Sequence, residues 1–303
     1  MIENAIKVNL LLLSTWLVAS SAFAQNSSLL IDMQTLTSAS HQGRKAGSDQ
    51  PNVSAQYIYS RFQSLGIKTE FQSFEFKSGF FSTALGHNVV ALLPCDQTVC
   101  GRKIVVTAHY DHLGGTSASF YAGANDNATG TAALLAIAEA LMPVSRSADI
   151  ILLATDAEEK GLYGAKHFVT TIKPEHYALN INLDMLAIDG KNTIYAFHDR
   201  SSKQLIELFQ KQNHPFLVFA TSSQFRLQKK LKNNRINWHK ASDHYAFSKK
   251  KIPYIYFGMG IDSKHHSKKD TLENMDFAKY QLVVESISDF IVSLARAPLE
   301  STN

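Results

Sequence analysis

Cysteine is almost absent: Cys95 and Cys100 are the only two in 303 residues. That excludes a fold held by a disulfide framework and leaves at most one local clip. No Pro-, Ser- or Gly-rich linker and no internal repeat interrupts the chain, which excludes a string of modules. Long apolar runs are missing too. Beyond the first residues, no segment is long and apolar enough to cross a bilayer. The basic stretch from Arg226 to Lys251, whose only acid is Asp243, lacks the interleaved aromatics or reading motif that nucleic acid requires. It reads as a solvated face, with an electropositive wall for acidic substrates as the alternative.

What is present begins with an export signal. Lys7 supplies a positive start, Val8 to Val18 is a short apolar run, and Ala22-Phe23-Ala24 is a small-x-small cleavage site before Gln25. Residues 1–24 are therefore expected to be a signal peptide, and 25–303 a single domain that is periplasmic or secreted. In that compartment Cys95 and Cys100 are expected to form a structural disulfide at a turn between two strands.

Short apolar runs then alternate with helical patterns. His87–Leu93 and Lys103–His109 read as paired strands flanking the cysteine turn. Thr129–Met142 is apolar nearly all round, the mark of a buried helix. Asp149–Thr155 and Leu179–Met185 are apolar on both faces, as internal parallel strands are, and Tyr254–Gly258 is another strand. A helix ended by Gly66 precedes them, and an amphipathic helix from Phe277 to Arg296 closes the chain. The expected architecture is an α/β three-layer sandwich, its central sheet mixed but mostly parallel and flanked by helices.

Such sheets gather functional residues beyond the C-terminal ends of their strands. Here one strand ends in His109-Tyr110-Asp111, a second leads through Asp156 to Glu158 and Glu159, and a third ends in Asp184. The loop before the buried helix carries Asp126, and His265 and His266 follow the late strand. Any one is ordinary: Asp126 alone could be a helix cap. Five polar clusters on one edge are a site.

The motifs "AHYDHLG", "GANDNATG", "EEKGLYGA", "NLDM", "SDHYAF" and "HHSKKDT" occur in that order. In this the chain resembles the secreted dizinc exopeptidases typified by bacterial leucyl aminopeptidases, from His41 to about Asp276. The resemblance implies two Zn2+ ions per chain. His109 and Asp184 would hold one, Glu159 and His266 the other, and Asp126 would bridge them. Histidine and carboxylate ligands suit zinc, and paired ions need a bridging carboxylate. His266 matches the family spacing to Asp270, with His265 its rival. Glu158 matches the general base, which takes a proton from the attacking water and passes it to the leaving amine. Neighbours in an extended loop point different ways, so the two glutamates divide the work.

Asp111 lies two residues past His109 on the same strand face, placed to accept the ring's other N–H. The family also implies a cis Asp126–Asn127 peptide. Two departures stand out. Where relatives carry a tyrosine that donates to the tetrahedral oxyanion, this chain has His239, which is expected to keep that role. His265 stands where relatives often have an apolar or tyrosyl residue. Asp243 and His244 are expected near the site without touching metal. Met185 and Phe257 are expected to line a pocket for the first side chain, with His244 beside it.

The activity implied is removal of N-terminal residues from peptides, by a monomer. A glutaminyl cyclase, acting at one zinc, is the same-fold alternative, and a carboxypeptidase or dipeptidase is another. A non-catalytic binding module is the alternative of a different class. It conflicts with the retention of His109, Asp126, Glu158, Glu159, Asp184 and His266.

Overall fold

Strands buried on both faces need apolar residues at successive positions, and the central strands of this chain have them. The computed structural model describes residues 28–47, 52–187, 192–233 and 235–296. The signal-like segment 1–24 lies outside the described residues. In chain order the strands are β1 (Lys68–Lys77), β2 (Thr83–Leu93), β3 (Gly101–His109), β4 (Gly115–Thr116), β5 (Ser119–Phe120), β6 (Ala148–Thr155), β7 (Tyr177–Leu183), β8 (Thr193–His198), β9 (Leu217–Thr221) and β10 (Tyr254–Gly258). Eight form one sheet in the order β1-β2-β6-β3-β7-β10-β8-β9, and β4 and β5 make a separate small ribbon. Pairing is parallel from β6 through β3 and β7 to β10. It is antiparallel at β1/β2, β2/β6 and β10/β8. The sheet is thus mixed and mostly parallel in its centre.

Helices cover both faces. Residues 28–36 (α1), α2 (Val53–Ser64), α3 (Thr129–Leu141), α5 (Lys203–Lys211) and α8 (Phe277–Arg296) pack on one side, with α4 (Tyr163–Phe168), α6 (Gln224–Leu231) and α7 (His244–Lys249) on the other. Alternation along the strands feeds both layers. Ile104, Val106 and Ala108 of β3 join the larger core, while Val105 joins the opposite one. Tyr254 and Tyr256 of β10 face α6 and Trp238, and Ile255 and Phe257 face α8. The apolar helix expected after the Asp126 loop is α3, whose Thr129–Ala138 stretch is wholly buried. Asn52 caps α2 by accepting from the amides of Ser54 and Ala55.

One expectation is corrected. β2 and β3 do not pair with each other, because β6 lies between them. The connection that carries the cysteines is no tight hairpin turn. It crosses the start of β6, where the Cys95 amide donates to Asp149 Oδ1 and the Asp96 amide to the Arg146 carbonyl. Those contacts draw the apolar β6 into the gap, where both its faces are buried. Cys95 and Cys100 do form a disulfide. Among the described residues no helix is long and apolar enough to cross a membrane.

Candidate metal centre and its cavity

The C-terminal ends of β3, β6, β7 and β10 open onto one cavity of about 230 Å3. His109, Asp126, Glu158, Glu159, Asp184, His265 and His266 line it, with Met185, Ile236, Trp238, Ala241, Tyr256 and Ile261 as its less polar walls. All the residues expected at the metals are therefore together. His109 Nε2 lies 3.5 Å from Asp184 Oδ1 and 3.6 Å from Asp126 Oδ1. His266 Nε2 lies 3.1 Å from Asp126 Oδ2 and 3.2 Å from Glu159 Oε2. Asp126 turns one oxygen to each group.

Each position has a local cause. Asp126 sits in a loop with a cis peptide to Asn127. Asp270 grips that loop, its two carboxylate oxygens accepting from the amides of Asn125 (2.8 Å) and Asp126 (3.0 Å). Asn127 ties the same loop to β7: its amide group donates to the Leu183 carbonyl, and its Oδ1 accepts from Gly130 and Met185 amides. Gly123 has to be glycine. It adopts φ +54°, and a Cβ there would stand 2.4 Å from the Asp126 carbonyl and 2.5 Å from the His112 ring. Ala157, Met185 and His266 also adopt left-handed φ, a cost of roughly 1 kcal/mol each that the surrounding contacts sustain.

Arg44 is the largest fully buried side chain. Its guanidinium donates to the carbonyls of Tyr110 (2.8 Å), Leu36 (2.9 Å), Ala122 (2.6 Å) and Gly123 (2.7 Å). It thereby joins the end of β3 to the start of the Asp126 loop. Burial pulls its pKa down to about 10, against the opposing pull of Asp270 and Asp126.

Asp111 is buried, but its carboxylate holds the Glu158-Glu159 turn, accepting from the Glu158 amide (2.9 Å) and the Glu159 amide (3.3 Å). The His109 Nδ1 is nearer the Asp111 carbonyl (3.1 Å) than its carboxylate (3.7 Å), which corrects the expected partner atom. Two peptide N–H groups have already claimed the side chain. The same turn separates the glutamates. Glu159 joins a ligand-like group with His112 and Asp126, whereas Glu158 stands outside every such group and faces the cavity.

The electrostatics follow from burial among carboxylates and histidines, with the Arg44 guanidinium nearby. Desolvation drives the Glu158 carboxyl well above its usual range, opposed by His109 and reinforced by Asp243, Asp184 and Glu159. Desolvation also pushes Asp243 up to about 6. Glu159 is held at about 2: burial alone would raise it, but bonds from His112 and His266 prevail. His266 is pushed up to about 10 by Asp126 and Glu159.

Several buried polar atoms have no hydrogen-bond partner: Asp126 Oδ2, Asp184 Oδ1 and His112 Nε2. Asp126 Oδ2 is close to both His265 (3.3 Å) and His266, yet neither contact has hydrogen-bond geometry. Buried acceptors left open are costly, and clustered beside imidazoles they fit zinc well. His109, Asp126 and Asp184 can share one ion. Asp126 and Glu159 with His112, or Asp126 with His265 and His266, can share another.

Three expected residues lie elsewhere. Phe257 is buried in the core against Phe209 and Phe290, because its alternation on β10 turns it to α8. His244 is buried beneath the cavity wall, its Nε2 donating to the Trp238 carbonyl at 2.8 Å. His239 is exposed and does not line the cavity. It packs edge-on against Phe197, with Nδ1 3.4 Å from the Tyr254 hydroxyl. The residue beside it, Trp238, turns inward instead. Sequence reasoning also passed over His112, whose Nδ1 lies 3.0 Å from Glu159 Oε1, although it stands inside the "AHYDHLG" motif.

Known proteins resemble this chain in sequence or fold. The chain is 26% identical over 187 residues to aminopeptidase YwaD of Bacillus subtilis (strain 168), covering 59% of this chain and 38% of that protein. It therefore spans well under half of that relative's length. The fold resembles an aminopeptidase from Aneurinibacillus sp. strain AM-1, with TM-score 0.73 at 15% identity over 92% of this chain and 96% of that one. It also resembles Porphyromonas gingivalis glutaminyl cyclase, with TM-score 0.66 at 17% identity over 88% and 98%. The sequence profile of peptidase family M28 matches residues 88–291, well over half the length, and the chain belongs to that family.

Proposed function

We propose that the protein is a zinc-dependent aminopeptidase that removes N-terminal residues from peptides. The observation that carries this reading is the convergence of His109, Asp126, Glu159, Asp184 and His266 on open buried oxygens, beside a glutamate outside the ligand groups. Two zinc ions would be held, one by His109 and Asp184 and one by Glu159 and His266, with Asp126 between them. Zinc, when bound, polarises the scissile carbonyl and makes water a better nucleophile.

Glu158 takes the proton from the attacking water and delivers it to the departing amine. Desolvation raises its carboxyl pKa, the direction that handing a proton to a leaving amine calls for. Bound cations would lower that pKa from its metal-free position. Asp111 positions Glu158 by holding its amide. Met185, Ile236 and Ile261 give the first side chain an apolar wall. Carboxylates beside the cavity attract a free α-amine. Every one of these groups comes from a single chain, so a monomer suffices. The leader-like residues 1–24 and the disulfide support export.

The test is turnover of a panel of aminoacyl amides, N-blocked peptides and N-terminal glutaminyl peptides, with and without chelator. Chelator-sensitive release of unblocked N-terminal residues is expected. Cleavage only of blocked peptides, or cyclisation without hydrolysis, would refute it.

A further inference from the structure

Phe80 and Phe81 are 93% and 96% exposed, the barest large apolar side chains among the described residues. They stand at the tip between β1 and β2, where the Ser78 and Gly79 amides donate to the Ser82 carbonyl at 3.0 and 3.3 Å. The turn is closed by its own backbone, and the two rings meet edge to face with centroids 4.7 Å apart. Single exposed apolar residues are ordinary, but adjacent phenyl rings held clear of the surface are not.

The position of the tip matters too. β1 and β2 stay paired out to Lys77 and Thr83, while β6 pairs with β2 only as far as Ala154 opposite Val89. Because β2 runs antiparallel to β6, its stretch from Thr83 to Asn88 extends past the C-terminal end of β6, on the edge that carries the cavity. The base of this ribbon is a small apolar cluster of Ala46, Phe74, Phe76 and Ala157, with Tyr163 packed against it. Lysines surround that base. Lys45 and Lys77 adjoin Ala46 and Phe76, Lys160 lies in the turn after Ala157, and all three are exposed. Lys166 is exposed as well, its Nζ 5.7 Å from the centroid of the Tyr163 ring. Glu75 is the exposed acid among them, while Glu158 and Glu159 turn to the cavity.

An aromatic tip ringed by ammonium groups has the makeup of a peripheral membrane contact. Apolar side chains enter the boundary between headgroups and acyl chains, and lysines are drawn to anionic lipids. Another protein would gain little from it. Ser78, Gly79, Ser82 and Thr83 flank the rings, so the apolar surface ends with two side chains, far less than a stable protein interface buries. Neither ring lines the cavity, so neither is a wall for the substrate's first residue.

We infer that the β1–β2 tip docks the protein on an anionic lipid bilayer, with Phe80 and Phe81 entering it and the lysines at its base facing lipid phosphates. Docked this way, the edge of the sheet that carries the cavity faces the membrane. This stands apart from the aminopeptidase reading and does not need it.

The full chain would be centrifuged with vesicles of phosphatidylcholine alone, and of equal parts phosphatidylcholine and phosphatidylglycerol. It should sediment with the mixed vesicles and less so as salt rises. Phe80→Ser with Phe81→Ser should weaken that binding by about tenfold or more, with zinc content and circular dichroism as in the parent. Lys77→Glu with Lys166→Glu should weaken it by about tenfold. The apolar run from Val8 to Val18 could bind lipid itself, so a probe at the tip locates the contact. In a Trp16→Phe background, Phe81→Trp adds one indole there, and Trp238 stays buried. Phosphatidylglycerol brominated on its acyl chains should quench the added indole.

The proposal would be overturned by mixed vesicles that leave the parent in solution, bind the paired serine variant equally well, or leave the added indole unquenched. Equal binding to phosphatidylcholine alone would also overturn it. So would a parent dimer that the paired serine variant abolishes, since the tip would then belong to a second copy of the chain.

Discussion

The two ends of the parallel strands carry acids of very different standing. At the N-terminal ends, beside the disulfide, two acids meet strong cations: Asp149 Oδ2 lies 3.0 Å from Lys103 Nζ, and Asp96 Oδ2 lies 3.2 Å from Arg146 Nη2. Those pairs are partly exposed and screened, so they contribute little. At the C-terminal ends, Asp126, Asp184 and Glu159 are more deeply placed, and the charged side chains that meet them are histidines. A fold has no structural need to gather so many carboxylates in a cavity with the single buried guanidinium of Arg44 near them, because their mutual repulsion is weakly screened there. The difference between the two ends is what a cation site would leave, and zinc, if bound there, would supply the positive charge.

The largest effect should separate the two adjacent glutamates. Glu158→Gln is expected to lower kcat about 1,000-fold while two zinc ions remain bound. Glu159→Ala should reduce the zinc content itself. Activity assays paired with metal analysis decide this, and loss of zinc from Glu158→Gln with retained activity on reconstitution would exchange their roles.

A smaller effect follows from protons. In the metal-free chain His266 titrates at about 10, so at neutral pH it carries a proton that zinc has to displace. Zinc affinity at that position should then rise with pH, by about tenfold per unit for one displaced proton. Calorimetry in buffers of different ionisation enthalpy measures the proton released, and a flat affinity between pH 6.5 and 8 would contradict the assignment.

The smallest effect belongs to the opposite end. Asp149→Asn should cost no more than about 1 kcal/mol in urea unfolding and leave turnover unchanged. A large loss of activity there would break the contrast between the two ends.

Much of this was legible because strand ends are legible. Runs such as Asp149–Thr155 stop at polar residues, and a parallel sheet brings such stops to one edge. Pairing order was not legible, since β2 and β3 are equally apolar and only the insertion of β6 separates them. Phe257 was misjudged for a related reason: the two-residue period of β10 is plain, but which phase faces the cavity is set by packing on α8. Trp238 and His239 differ by one position in an irregular segment, where no period assigns direction. Arg44 could not be read as a keystone, because its partners are backbone carbonyls scattered from Leu36 to Gly123.

Asp270 has one more consequence. It lies four residues beyond His266, at the far end of the same short turn, and its carboxylate clasps the amides of Asn125 and Asp126. The segment that would offer His266 to one ion thus also steadies Asp126, the residue proposed to lie between both. Losing the Asp270 carboxylate should therefore loosen the loop that carries Asp126 as well as the turn that carries His266.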